Sequence, residues 1–383
     1  MSRMRRAIVI VMDGCGAGEA PDAAEFGDLD HPATIRHVYE ANGGLNAPNL
    51  AACGFLAACG APTPAGSGAR YGRLRELSKG GKDSVTGHWE MSGIVTEQPF
   101  PTYPLGFPPE VIAPYESAIG RKVLGNKPAS GTEIIKELGA EHLRTGFPIV
   151  YTSADSVFQV ACHESVIPVA QLYEFCQTAR AQLVPPHGVQ RVIARPFAGT
   201  PESGFTRTER RRDFPMPPPP NLCDRVGDVF GIGVVPELFA GRGFRTVHRT
   251  QNNAEHTEML WQALDSDARF IWANFEDFDM RYGHRNDPIG FARCLEEFDR
   301  TLGEMLSRRR PDDLIILTAD HGNDPTTLST DHSREFVPFV AISSEPGKAL
   351  GSVDGMTAVG ASVAAHVGVD WAIGTVLLGD SAV

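Results

Sequence analysis

The chain has 383 residues, 42% of them hydrophobic and 21% charged, an ordinary globular composition with length enough for two domains. Its 47 Asp and Glu outnumber 35 Lys and Arg, giving a formal net charge of −12. That balance argues against a nucleic-acid partner or an anionic membrane surface, but leaves room for a small phosphorylated substrate held by a metal and a few local arginines.

The start, MSRMRRAIVIVMDG, imitates a signal peptide, but its apolar run is only Ala7–Met12 and ends on Asp13. Such a run is too short for a leader core or a membrane span, and its β-branched residues predict a strand buried on both faces. The glycines that follow, Gly14, Gly16 and Gly18, do not have the spacing of a dinucleotide fingerprint. A carboxylate directly before them would also repel a pyrophosphate. The segment Leu77–Gly93 (LSKGGKDSVTGHWEMSG) reads as a loop entering a helix, with Ser84 or Thr86 at a helix N-terminus suited to phosphate.

Thr96–Pro109 holds five prolines and little periodicity, and Glu209–Pro220 holds an arginine cluster followed by FPMPPPP. Both read as crossings between domains, the second as a stiff polyproline-like spacer, with Arg210–Arg212 as a solvated face. The expected organisation is a core domain over 1–96 and 216–383 with a smaller domain, 97–215, inserted. Strands are predicted at Pro148–Thr152, Arg191–Ala194, Val229–Val234, Phe270–Phe275 and Leu314–Thr318. Helices are predicted at Gly131–Leu138, Val169–Leu183, Ala254–Leu264 and Ile289–Ser307. This alternation predicts an α/β fold with a mostly parallel sheet flanked by helices.

Three of the strands end on metal-ligating residue types. Asp13 follows the first; Asp277, Asp279 and His284 follow Phe270–Phe275; Asp320 and His321 follow Leu314–Thr318, with His332 eleven residues later. In a parallel sheet these ends share one edge, where so many acids would repel one another without a cation. Carboxylate and imidazole suit Zn, Mn or Fe-type ions, and six ligands are enough for two. The seven cysteines are scattered without a Cys-x-x-Cys pair, which fits a reducing cytoplasm.

The stretches VMDGCGAGEAPDAAEFGD, GKDSVTGHWE, GTEIIKELG, TGFPIVYTSADSVFQVACHE, RVIARPFAG with FTRTERRRDF, FDMRYGHRNDPIGFARCLEEFD and TADHGNDPTT with TDHSREFVP together span about residues 6–340. In this order they resemble the phosphopentomutase family of the alkaline phosphatase superfamily, which also holds cofactor-independent phosphoglycerate mutase. The resemblance implies an alkaline-phosphatase-like core with an inserted α/β cap domain. It implies two divalent metal ions, manganese in the family: one on Asp13, Asp320 and His321, the other on Asp279, His284 and His332. Asp279 rather than Asp277 has the family's spacing to His284. Ser84 would be the phosphorylated nucleophile, and Ser153, Asp155, Arg191 and Arg207 on the cap would hold a sugar phosphate. The implied reaction interconverts (deoxy)ribose 1-phosphate and 5-phosphate in nucleoside catabolism, activated by a catalytic sugar bisphosphate. A mutase for another sugar phosphate, or a metal-dependent phosphatase or phosphodiesterase on the same scaffold, are the alternatives. The family usually has Thr at Ser84 and Lys at Val234, and the stretch QNNAEHTEM, residues 251–259, also departs from its pattern.

Overall fold

The computed structural model describes residues 5–64, 68–153 and 155–379. Its strands, in chain order, are β1 (Arg6–Met12), β2 (Arg70–Arg75), β3 (Leu124–Pro128), β4 (Ile149–Thr152), β5 (Val157–His163), β6 (Arg191–Thr200), β7 (Gly204–Arg207), β8 (Arg212–Pro215), β9 (Val229–Ile232), β10 (Phe244–His248), β11 (Phe270–Phe275), β12 (Asp313–Thr318), β13 (Val337–Ile342) and β14 (Lys348–Asp354). The chain divides into two compact units, Met1–Gln98 with Pro218–Val383, and Pro99–Pro217.

The first unit is built on an eight-stranded sheet of order β10-β9-β11-β1-β12-β13-β2-β14. From β10 to β12 every neighbour is parallel; β13 is antiparallel to β12 and to β2, and β14 is parallel to β2. The central strands β1, β11 and β12 are buried at every residue, as their uninterrupted apolar runs require. Helices Asn253–Asp265 and Thr357–Val367 pack on these strands, and helix Phe55–Ala58 packs on β2 and β13. The basic start of the chain has a structural use. Arg6 is buried and forms a two-pronged ion pair with Asp313, at 3.0 and 2.6 Å, which fixes the register of β1 on β12.

The parallel register decides where chemistry can occur. Val11 lies opposite Asn274 on one side and Thr318 on the other, so the residues after β1, β11 and β12 emerge side by side. This is the carboxyl edge of a parallel sheet, where α/β proteins place their sites.

The second unit has its own sheet, β3-β4-β5-β6-β7, with β8 added to β6. Its pairings mix parallel and antiparallel. One apolar core gathers Tyr115, Phe158, Leu172 and Val192, and another Ile134, Tyr151 and Phe197. The proline-rich stretch 209–220 is not a spacer throughout. Arg212–Pro215 is strand β8, paired to β6 before the prolines begin in earnest. Prolines suit an edge strand and its exit, where a missing N–H leaves no ladder partner wanting. In this unit Arg210 pairs with Glu164, Arg211 with Asp213, and Arg212 lies over Tyr173 and Phe214. The helix predicted to end at Leu138 continues to Thr145, because His142 is buried and hydrogen-bonds Phe147 O.

Candidate metal centre

Three acids and three histidines meet at the carboxyl edge of the large sheet. Asp13 leaves β1, and its Oδ1 lies 3.4 Å from His321 Nε2. Asp320 Oδ2 lies 3.6 Å from the same nitrogen. Neither Asp13 Oδ1 nor Asp320 Oδ2 has a hydrogen-bond partner, although both are buried. Two orphaned carboxylate oxygens aimed at one imidazole nitrogen are the signature of a cation site, because buried polar atoms otherwise find partners.

A second set adjoins the first. A single wide turn, Phe278–Tyr282, follows β11 and carries Asp279; a tight turn, Gly283–Arg285, then brings round His284. Asp279 lies 3.1 Å from His284 Nε2 and 3.5 Å from His332 Nε2, and the two Nε2 atoms are 3.2 Å apart. Asp279, His284 and His332 thus form one group of ligand spacing, and Asp13, Asp279 and His321 form another. Asp279 belongs to both, so the two groups are contiguous. Asp277 does not join them: it takes the Asn253 amide at 3.0 Å and pairs with Arg281.

The histidine rings are oriented by their other nitrogens. Nδ1 of His284, His332 and His321 lies 2.6, 2.9 and 3.1 Å from the carbonyl oxygens of Thr330, Lys82 and Gly322. A carbonyl can only accept, so each Nδ1 carries a proton and Nε2 is the ring atom that faces the centre, where it has a lone pair once its own proton is lost. Two asparagines hold the acids. Asn274 donates to Asp13 at 2.6 Å, and Asn323 donates to Asp279 at 2.6 Å. Sequence reading passed over both, because a lone amide has no spacing signature; their only signal is their place in ANFEDFD and HGND.

The charges are unbalanced. Burial, then the charges of Asp320 and Asp279, push the Asp13 carboxyl well above its usual value. Burial also opposes the Asp279 anion, yet hydrogen bonds from His284 and His332 outweigh it and hold Asp279 well below the usual range. Burial opposes His332⁺ likewise, but Asp279 beside it pushes that ring up to about 9. Protons thus stand in for missing positive charge, and divalent cations meet the same need. The donor set, carboxylate and imidazole without thiolate, fits Mn or Zn.

Ser84 is the first residue of helix Ser84–Met91, and its Oγ lies 3.3 Å from His321 Nε2. Asp83 caps the helix by accepting from the amides of Val85 and Thr86. Thr86 is fully buried, and its hydroxyl is committed to the Asp83 backbone, donating to O at 2.9 Å and accepting from N at 3.3 Å. Of the two hydroxyls considered, Ser84 alone faces the centre. The helix reaches it through Gly87: a Cβ there would stand 2.2 Å from Asp320 O. The glycines after β1 have a related use. Gly14, at φ 72°, turns its amide to Asp320 Oδ1 at 3.2 Å, and a Cβ there would crowd Asn323 and Asp279.

Glu276 stands on the flank of the centre, between Asp13 and the end of β9. Its Oε1 accepts the Val234 amide at 2.7 Å. Burial, against that bond, and the charges of Glu237, Asp277 and Asp320 push it up to about 7.

The remaining predicted residues lie on the second unit. Ser153 Oγ accepts the Asp155 amide at 3.3 Å. Arg191 is 3.7 Å from Asp213. Arg207 ends β7 beside Gly131, at the start of helix Gly131–Thr145. Arg207 gathers with Arg195 and Arg211 close to Tyr151. Sequence reading did not single out Arg195, and it took Arg211 for part of a solvated face.

Residues 236–371 match the Metalloenzyme superfamily. A phosphopentomutase of Dictyoglomus turgidum is 52% identical over 349 residues, covering 89% of this chain and 88% of its own. A phosphopentomutase of Caldanaerobacter subterraneus subsp. tengcongensis is 47% identical, covering 99% of this chain and 97% of its own. Among solved structures, the PH0037 protein of Pyrococcus horikoshii superposes with a TM-score of 0.50 at 15% identity, over 98% of this chain and all of that one. That likeness supports the α/β fold.

Proposed function

The chain belongs to the phosphopentomutase family, and from that membership we propose that it interconverts ribose 1-phosphate and ribose 5-phosphate, and their deoxy counterparts, through phosphoserine at Ser84. The observation that carries this reading is the Ser84 hydroxyl, 3.3 Å from His321 Nε2 at the mouth of a buried acid and histidine cluster.

Asp13, Asp320 and His321 would hold one divalent ion, and Asp279, His284 and His332 a second, with manganese the proposed metal. When bound, such ions supply positive charge to the phosphoryl oxygens and to the serine oxygen. The histidines keep Nε2 free through their bonds to backbone carbonyls, and Asn274 and Asn323 keep two of the carboxylates aimed. His321 Nε2, 3.3 Å from Ser84 Oγ, would place an ion it holds beside the serine oxygen.

In the first half-reaction phosphoserine gives its phosphoryl group to the free hydroxyl of a pentose monophosphate. The bond from phosphorus to Ser84 Oγ breaks, a bond to the sugar oxygen forms, the hydroxyl proton passes to Ser84 Oγ, and the resulting 1,5-bisphosphate reorients. In the second half-reaction Ser84 Oγ takes the other phosphoryl group, and the sugar oxygen released recovers a proton. A sugar bisphosphate thereby primes and sustains the enzyme. Ser153, Asp155, Arg191 and Arg207 are proposed to bind the sugar phosphate, guanidinium being the natural partner of a phosphate dianion. The seven cysteines are free and buried, which supports a reducing, cytoplasmic setting.

Phosphorus NMR tests the reading. Ribose 5-phosphate, with Mn²⁺ and a trace of sugar bisphosphate, is expected to give ribose 1-phosphate at constant total ester. Release of inorganic phosphate with no 1-phosphate would instead point to a phosphatase.

A further inference from the structure

One acid at the edge of the metal centre belongs to neither ligand group. Glu276 is the residue after β11 and sits three residues before Asp279. Its charge helps to raise Asp13, and the charge of Asp320 helps to raise Glu276, so the carboxylate lies within electrostatic reach of the centre. The side chain is 16% exposed. One oxygen, Oε1, is used by the Val234 amide. Among the described residues the other oxygen has no hydrogen-bond partner, and no lysine or arginine pairs with the group. The nearest ring, His256, is fully buried; its Nδ1 is bonded to Thr250 Oγ1 at 2.6 Å, while its Nε2 is unpartnered and 3.8 Å from Oε1.

A half-buried carboxylate with one oxygen fixed and one free is a preorganised acceptor. It cannot be meant for the phosphate of the substrate, because two anions would repel. The uncharged part of a pentose phosphate is a ring carrying hydroxyl donors. We propose that Glu276 is a specificity-determining residue, whose free oxygen accepts a hydrogen bond from a ring hydroxyl of the pentose and turns the second phosphate away from that side. The inference rests on the pentose-phosphate reading above. It also gives a structural reason for the residues around Val234 to matter, since the Val234 amide is what aims the carboxylate.

The test compares kcat/KM for ribose 5-phosphate with that for 2-deoxyribose 5-phosphate and for the arabinose and xylose 5-phosphates, in the wild type, Glu276→Ala and Glu276→Gln. Loss of a hydrogen bond to a charged group should lower turnover of the substrate that makes it by about 10- to 100-fold, and leave the analogue lacking that hydroxyl in place almost unaffected. The expected result is therefore a collapse of discrimination at one ring position in Glu276→Ala. Glu276→Gln, which keeps an acceptor for the Val234 amide and so guards against a folding defect, should show a smaller collapse at the same position. An equal loss on all four sugars, or no change on any, overturns the proposal and leaves the mutase reading standing. A wild type that isomerises none of these sugars overturns both.

Discussion

At the scale of single residues, the site is a set of side chains whose free atoms all point one way. Ser84 and Thr86 are two positions apart and chemically alike, yet Thr86 is closed off by its bonds to Asp83. Ser84→Ala should therefore abolish isomerisation, while Thr86→Val should act mainly on helix stability; steady-state kinetics beside a melting curve separates the two. Asn323→Ala should weaken metal binding by about 10- to 100-fold, measured by metal titration, because the amide aims Asp279. A residue away from the metals gives a pH signature. Burial would raise the Asp22 carboxyl, but hydrogen bonds from Arg334 and Lys79 outweigh it and hold it at about 2. A depressed carboxylate contributes stability that is complete above its ordinary value near 3.8 and is lost as pH falls towards 2. Denaturation of Asp22→Asn and wild type should differ at neutral pH and converge across that acid window. The candidate ligands were legible in the sequence because Asp13, Asp320 and His321 stand at the ends of apolar runs and Asp279, His284 and His332 lie in the loops that follow them. Asn274 and Asn323 were not, since an amide bonded to a carboxylate leaves no periodic trace.

At the scale of elements, strand ends and one helix start do the positioning. β1, β11 and β12 were readable because burial on both faces demands continuous apolar residues. β2 was not, because RYGRLR alternates buried and half-buried positions and spends arginine on both. β14 was hidden for a different reason: it is an edge strand, mostly exposed, with no apolar run. The polyproline reading of 209–220 missed β8 because pairing to β6, a long-range contact, overrides local composition there. The helix that carries Ser84 depends on its cap. Asp83→Ala removes an acceptor from two amides and should cost about 1 kcal/mol in chemical denaturation. It should also lower kcat by loosening Ser84, whereas Asp83→Asn, which keeps an acceptor, should restore most of both.

At the scale of the whole chain, the division at Gln98/Pro99 and Pro217/Pro218 separates two compact units, the second with two apolar clusters of its own. Residues 99–217 expressed alone should show a cooperative thermal transition and bind no Mn²⁺, because every proposed ligand lies outside them. The reverse holds for the ion-binding unit. Stripping the intact protein with a chelator should lower its melting temperature, since the acids at the sheet edge then face one another unscreened, and Mn²⁺ should restore it. The central claim is that catalysis passes through a phosphoryl group on Ser84. Its most direct test is intact-mass analysis with peptide mapping after incubation with a pentose phosphate, a trace of sugar bisphosphate and Mn²⁺. One phosphoryl group on the peptide containing Ser84, absent from Ser84→Ala, is the predicted result; a phosphoryl group on Thr86, or an active enzyme that never carries one, would contradict the account.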